Sequence, residues 1–221
     1  MRIRDRLTAG AAGPRGLYLC HGFCELGAEP LERALATIHE FLVAHPGEVV
    51  VLVVEDYAPP AELAHAFEAS GLARLVYRGP SGPWPTLGEL VARDERVLVL
   101  LESGRGGVPW LRPAFAVMQE TPYAFHDTRD TLSCAPNRGG TAGSLLQLNH
   151  WIETTPAPKP SNAAIVNAYD ALLARARRCE RARGRRVTVL AVDWYRTGDV
   201  VRAAATLNET RTSATGAVGA R

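Results

Sequence analysis

The stretch Glu48-Val49-Val50-Val51-Leu52-Val53-Val54-Glu55-Asp56 decides how this chain reads. A run of six apolar residues, five of them valine, continues without alternation and stops at two acids. That is strand length rather than helix length, and unbroken apolarity marks a strand buried on both faces, as in a parallel sheet. Similar blocks recur at Leu17–Cys20, Val97–Leu101, Leu145–Leu148 and Val187–Val192, with a weaker one at Tyr123–Phe125. Amphipathic segments lie between them. Leu31, Leu35, Ile38 and Leu42 recur at helical spacing after Pro30, Ala61 to Ser70 follows a Pro-Pro start, and Ile165, Tyr169, Leu172 and Ala176 mark a third helix. Strand and helix in alternation predict an α/β fold. The Gly- and Pro-rich stretch from Ser103 to Gly143 reads as long loops around a short helix.

Composition narrows the classes. With 221 residues, 47% hydrophobic and 22% charged, the chain is expected to form one globular domain over residues 1–207, with a fraying tail at 208–221. No apolar run approaches the roughly 18–20 residues of a membrane span. The charged start Met1-Arg2-Ile3-Arg4-Asp5-Arg6 is not followed by the apolar stretch of a signal peptide. A net charge of +2 gives no reason to expect a nucleic-acid partner. Of the 25 basic residues only Lys159 is lysine, which, with so much Ala, Gly and Pro, reads as coding bias and weakens any arginine cluster as a signal.

The polar residues at the strand ends carry the functional argument. Leu17–Cys20 runs into His21, Val49–Val54 into Glu55-Asp56, Val97–Leu101 into Glu102, Leu145–Leu148 into Asn149-His150, and Val187–Val192 into Asp193. In parallel α/β folds, and above all in (β/α)8 barrels, the carboxyl ends of the strands are where active sites assemble. Five strands that each deliver an imidazole, amide or carboxylate there predict one polar constellation at a barrel mouth.

Leu19-Cys20-His21-Gly22, Glu48 to Asp56, Asn137-Arg138-Gly139-Gly140, Leu148-Asn149-His150-Trp151 and Ala191-Val192-Asp193-Trp194-Tyr195 together resemble the phosphatidylinositol-specific phospholipase C X-domain family, and within it the bacterial branch of phospholipase-C-like phosphodiesterases. The resemblance runs from about Leu17 to about Val200. It implies a distorted TIM (β/α)8-type barrel that cleaves a phosphodiester by attack of a neighbouring hydroxyl, with one histidine as base and another as acid. His21 matches the acid, and imidazole, with a reference pKa of about 6.5, suits that role. Asp193 resembles the carboxylate that orients a catalytic histidine. Glu55 matches a position that binds calcium in some relatives, and Glu102 stands near expected substrate contacts. Two carboxylates facing a phosphate imply a divalent cation between them, Ca2+ or Mg2+. Arg138, Asn149 and His150 complete the expected substrate contacts. The implied partners are a phospholipid or other phosphodiester and a peripheral membrane surface, in an extracellular or cell-envelope setting.

The chain also departs from the family pattern. The strand with the first histidine and the strand after it are not found, and Met1–Ala11 resembles the helix that would precede the second. Six strands are therefore expected where a closed barrel needs eight, so the barrel is expected to be incomplete at its N-terminus. His150 is the first candidate for a substitute base. The alternative is a catalytically inactive barrel remnant that binds lipid or a partner.

Other motifs are weaker. Cys20, Cys24, Cys134 and Cys179 fit two disulfides, with Cys134–Cys179 the long-range one, or buried free thiols; a zinc site would want a second close pair. Arg175, Arg177, Arg178, Arg181, Arg183, Arg185 and Arg186 read either as a dock for anionic lipid or as a solvated helix end. His39-Glu40 lacks the second histidine of a zinc-protease helix, and Gly79-Pro80-Ser81-Gly82-Pro83 lacks the closing glycine of a nucleophile elbow.

Overall fold

The valine run does form a strand with parallel neighbours. The computed structural model describes residues 2–5, 16–20, 27–129, 131–155 and 158–216, with 2–5 and 210–216 as backbone. The chain divides into two compact units, residues 1–116 and 117–221. The first holds a six-stranded sheet in the order β3 (Ala28–Pro30), β2 (Leu17–Cys20), β1 (Arg2–Asp5), β4 (Val50–Asp56), β5 (Val97–Leu101), β6 (Leu111–Pro113). β4 pairs in parallel with both β1 and β5, and β5 with β6. β1–β2 and β2–β3 are antiparallel.

Helices α1 (Leu31–Ala44) and α2 (Pro60–Ala69) and a 3-10 turn at Leu72–Leu75 share a core with one sheet face. Leu35, Leu63 and Phe67 from the helices meet Val54, Val99 and Leu101 from the strands there, all fully buried. Each such side chain contributes about 1.5–3 kcal/mol of transfer free energy. β5 is buried along its whole length, but Val51 on β4 is 44% exposed, so the run expected to be covered on both faces is not covered throughout. The short helix α3 (Leu87–Ala92) begins at a capping box in which the Thr86 hydroxyl accepts from Glu89 N at 3.2 Å and Glu89 Oε2 accepts from Thr86 N at 2.7 Å.

A single turn, α4 (Ala114–Val117), spans the division in the chain. The second unit holds three parallel strands, β7 (Met118–Glu120), β8 (Leu145–His150) and β9 (Val189–Val192), with helices α5 (Pro160–Val166), α6 (Tyr169–Arg183) and α7 (Val200–Gly216). Leu146 and Leu148 of β8 pack with Leu173, Ala176 and Cys179 of α6 and Leu207 of α7. Cys134 and Cys179 form a disulfide with a Cα separation of 5.0 Å, which ties a loop to α6. Cys20 is disulfide-bonded as well, whereas Cys24 lies outside the described residues. Among the described residues no helix is long and apolar enough to cross a membrane.

The TIM barrel expected from the family resemblance is not formed: the described strands make two open sheets. A (β/α)8 barrel needs successive parallel strands that close on each other. Here β2 reverses against β1, and the first sheet stops at the three-residue strands β3 and β6. Residues 2–5, expected as helix, are strand β1. Tyr123–Phe125, expected as a strand, has no regular structure, and the strand of that region is β7, a few residues earlier. At the other end, α7 carries helical backbone through Gly216, into the stretch expected to fray.

Candidate functional site

In the second unit the strand register brings the polar ends together. Glu120 on β7 pairs with Gln147 on β8, while Asn149 and His150 pair with Ala191 and Val192 on β9, directly before Asp193. Glu120 is 0% exposed and is the centre of a hydrogen-bonded cluster. Its Oε1 accepts from Arg138 Nε at 2.6 Å and Asn137 Nδ2 at 2.9 Å. Its Oε2 accepts from Arg138 Nη2 and Asn149 Nδ2, both at 3.0 Å. The backbone repeats the pairing: Glu120 N donates to Arg138 O and Asn137 N to Glu120 O, each at 3.1 Å. The turn that allows this uses Gly139 at φ 74°, where a Cβ would run into the Met118 carbonyl. Arg138 is thus gripped in two-pronged fashion from below, stacked over the Tyr123 ring at 5.2 Å, with its side chain 37% exposed.

Asn149 is committed to the cluster. Beyond Glu120, its Nδ2 donates to Thr121 O at 2.7 Å, its Oδ1 accepts from Gln147 Nε2 at 2.8 Å, and its backbone N donates to Thr121 Oγ1 at 3.0 Å.

His150 is 2% exposed, and both ring nitrogens are engaged. Arg175 has only N–H groups to offer, so Nδ1 is the acceptor in its 3.0 Å contact with Arg175 Nη1, and the proton sits on Nε2, which donates to Val166 O at 2.7 Å. Burial above all lowers its pKa from the ordinary 6.5 to about 4, and the positive charges of Arg175 and Arg178 add to this against the hydrogen bond to Val166. His150 is a neutral, fixed imidazole.

Asp193 is half-buried where β9 ends, and its carbonyl accepts from Asn167 Nδ2 at 2.8 Å. The loop wraps Asn167, which also donates to Thr197 O at 3.1 Å, and turns through Trp194 at φ 53°.

Glu55 and Glu102 belong to the first unit. Glu102 N donates to Val54 O at 2.9 Å, extending the parallel ladder, so the two half-buried glutamates are neighbours at the carboxyl ends of β4 and β5. Glu55 Oε1 accepts from Tyr57 OH at 2.5 Å. The next residue, Asp56, is buried and accepts from Ser103 N at 2.9 Å and from the Ser103 hydroxyl. Among the described residues no group of three or more His, Cys, Asp or Glu side chains could hold a metal ion. His21 lies outside the described residues, one position past the end of β2.

Glu120 is the residue that sequence reasoning missed. Its signal was the one used elsewhere, a polar residue ending a strand, but Met118-Gln119-Glu120 is too short and too polar to read as a strand. The arginine cluster of α6 also reads differently in three dimensions. Arg178 donates to Leu132 O at 2.7 Å, Arg183 to Gly140 O at 2.7 Å, Arg185 to Ser144 O at 3.3 Å, and Arg175 to Ser133 O at 3.0 Å. These four strap the loop between β7 and β8 to α6 and the residues just after it.

A family model described as PI-PLC X 1 matches residues 7–208, nearly the whole chain. The chain belongs to the PI-PLC X domain family. It is similar to PI-PLC X domain-containing protein 1 of Arthroderma benhamiae, 28% identical over 210 residues that cover 86% of this chain and 68% of the relative. No solved structure matches it. The relative is fungal, so the expected bacterial branch finds no support, and its name specifies a domain rather than a reaction. The PI-PLC X match takes in His21, Glu55, Glu102, Glu120, Arg138, Asn149, His150 and Asp193 alike.

Proposed function

We propose that this PI-PLC X domain chain is a phosphoric diester hydrolase that cleaves a phospholipid or related phosphodiester with His21 as general acid. The observation that carries the reading is the family match across residues 7–208, which spans the His21-Gly22 pair and the Asn137–Gly140 turn. Arg138 is the cation we assign to the phosphodiester. Glu120 and Asn149 act as its positioning residues, because the two-pronged grip on its guanidinium prepays the cost of ordering a long side chain. A neighbouring hydroxyl of the substrate would form a new P–O bond as the bond to the leaving oxygen breaks, and His21 would protonate the departing alkoxide.

A second reading is favoured by His150. The imidazole proposed as substitute base is neutral, but its one lone-pair nitrogen already accepts from Arg175. On that reading the chain binds a phosphodiester lipid without cleaving it.

An assay of the full chain on phosphatidylinositol and phosphatidylcholine vesicles, with and without Ca2+ or Mg2+, separates the two. Hydrolysis that falls by about 10²–10⁴ in His21→Ala supports the acid role. Hydrolysis unaffected by His21→Ala would refute it. Vesicle binding without turnover, weakened in Arg138→Met, would establish the second reading.

A further inference from the structure

Aromatic side chains crowd the carboxyl ends of the strands in the second unit and stay open to water. Trp194 and Tyr195, which follow β9, are 50% and 60% exposed. Trp151, directly after β8, stacks on Tyr123 with ring centroids 6.2 Å apart, and it lines one crevice with Lys159 and Trp194. Arg196 donates from Nε to Tyr195 OH at 3.0 Å and lies over that ring at 5.6 Å. A continuous band thus runs from Arg138, over the Tyr123 ring, through Trp151 and Trp194 to Tyr195 and Arg196. The loop at its far end is built, not loose. Asn167, fully buried, donates from Nδ2 to the carbonyls of Asp193 and Thr197, and its own carbonyl accepts from Asp199 N at 2.9 Å. Trp194 is held at φ 53°, a left-handed conformation that a bulky side chain avoids. The fold spends backbone strain on a loop that keeps two large aromatics in water, which is how interaction sites differ from ordinary surface.

Tryptophan and tyrosine have an apolar body and a polar edge, so they settle at the headgroup level of a bilayer, and Arg or Lys beside them adds attraction to anionic lipid. Lys159 and Arg196 are both exposed. The second unit carries fourteen basic against nine acidic residues, and the first carries eleven against fourteen. The unit that holds the aromatic band is therefore the one that an anionic surface attracts. We propose that the Trp194–Arg196 loop, with Trp151 and Lys159, is the face by which this chain docks on an anionic phospholipid surface, Trp194 and Tyr195 entering the headgroup layer. The inference rests on the phosphodiesterase reading only for its placement beside Arg138; docking itself needs no hydrolysis.

The test is binding, not turnover. The full chain is sedimented with phosphatidylcholine vesicles with and without phosphatidic acid, and its tryptophan emission is read on vesicles that contain brominated phosphatidylcholine. Asparagine tolerates a positive φ, so Trp194→Asn keeps the turn. Tyr195→Ser and Arg196→Gln alter side chains that are already exposed, and all chains are compared at matched circular dichroism. The expected result is binding that rises with phosphatidic acid and bromine quenching that falls in Trp194→Asn. Affinity should drop on the order of tenfold in the Trp194→Asn/Tyr195→Ser pair and on the order of fivefold in Arg196→Gln at low salt. Excess glycerophosphoinositol, a phosphodiester without a lipid tail, should leave docking unchanged. Vesicle binding that this competitor abolishes and the aromatic pair does not weaken would place the contact at the phosphodiester site and overturn the docking face. Hydrolysis of glycerophosphoinositol by a chain that binds no vesicle would overturn it too, and would leave the proposed reaction standing. A dimer that Tyr195→Ser dissolves, in place of vesicle binding, would assign the band to a second copy of the chain instead.

Discussion

Arg138→Met is expected to destabilise the chain more than Glu120→Gln, although the two substitutions break the same ion pair. The asymmetry follows from burial. Removing Arg138 leaves the Glu120 carboxylate, 0% exposed, with only the amides of Asn137 and Asn149. Breaking a buried pair so that one charge stays behind costs about 3–5 kcal/mol. Removing the Glu120 charge instead leaves Arg138, whose side chain is 37% exposed and can turn to water, so solvent screening recovers part of the loss. What remains is a mismatched amide donor and a lost charged hydrogen bond, about 1.5–3 kcal/mol. At about 2–4 °C per kcal/mol for a chain of this size, Arg138→Met should lower Tm by roughly 6–20 °C. The double variant should be less damaged than Arg138→Met alone, with a coupling energy above about 1 kcal/mol. Urea denaturation followed by circular dichroism, with all four chains at one pH, measures this. An Arg138→Met chain as stable as Glu120→Gln, or a cycle that is additive, would refute the view that a buried carboxylate organises the cluster.

Three further outcomes follow from the same geometry. The His150 pKa of about 4 lies below the ordinary 6.5, so the unfolded chain binds a proton that the folded chain refuses. Its contribution is therefore complete above pH 6.5 and is lost as pH falls through 4, about 3 kcal/mol in all; the wild-type minus His150→Gln stability difference should shrink accordingly, and an imidazole titrating above pH 6 by NMR would contradict the assignment. Opening the Cys134–Cys179 link, which spans 45 positions, should cost about 4 kcal/mol on the chain-entropy account, read as a Tm drop in Cys134→Ala/Cys179→Ala. Gly139→Ala should cost more than about 2 kcal/mol, because both the positive φ and the Met118 carbonyl oppose a Cβ, and a variant with wild-type Tm would show that the turn is not needed in this form.

Much of the architecture was legible in side-chain pattern. Leu31, Leu35, Ile38 and Leu42 mark α1 because a 3.6-residue period places them on one face, and three of the four are fully buried. The valine run marks β4 because six apolar residues have no other stable use in water. The short strands were not legible. Ala28–Pro30, Leu111–Pro113 and Met118–Glu120 each contain a proline or a charged residue and are strands only because a longer neighbour offers its edge. The absence of barrel closure follows from the same fact, since β2 reverses against β1 through pairing that no local composition records.

The sequence by itself determined the family, the alternation of apolar strands with helices, and which strands end in polar residues, because these are properties of residue order and period. Only the tertiary structure decided what those polar residues are for. Asn149 and His150 end the same strand and read alike, yet one holds Glu120 and the other is locked between Arg175 and Val166. Their partners lie 16–29 positions away, and a polar side chain takes its role from whatever folding places within hydrogen-bond distance of it.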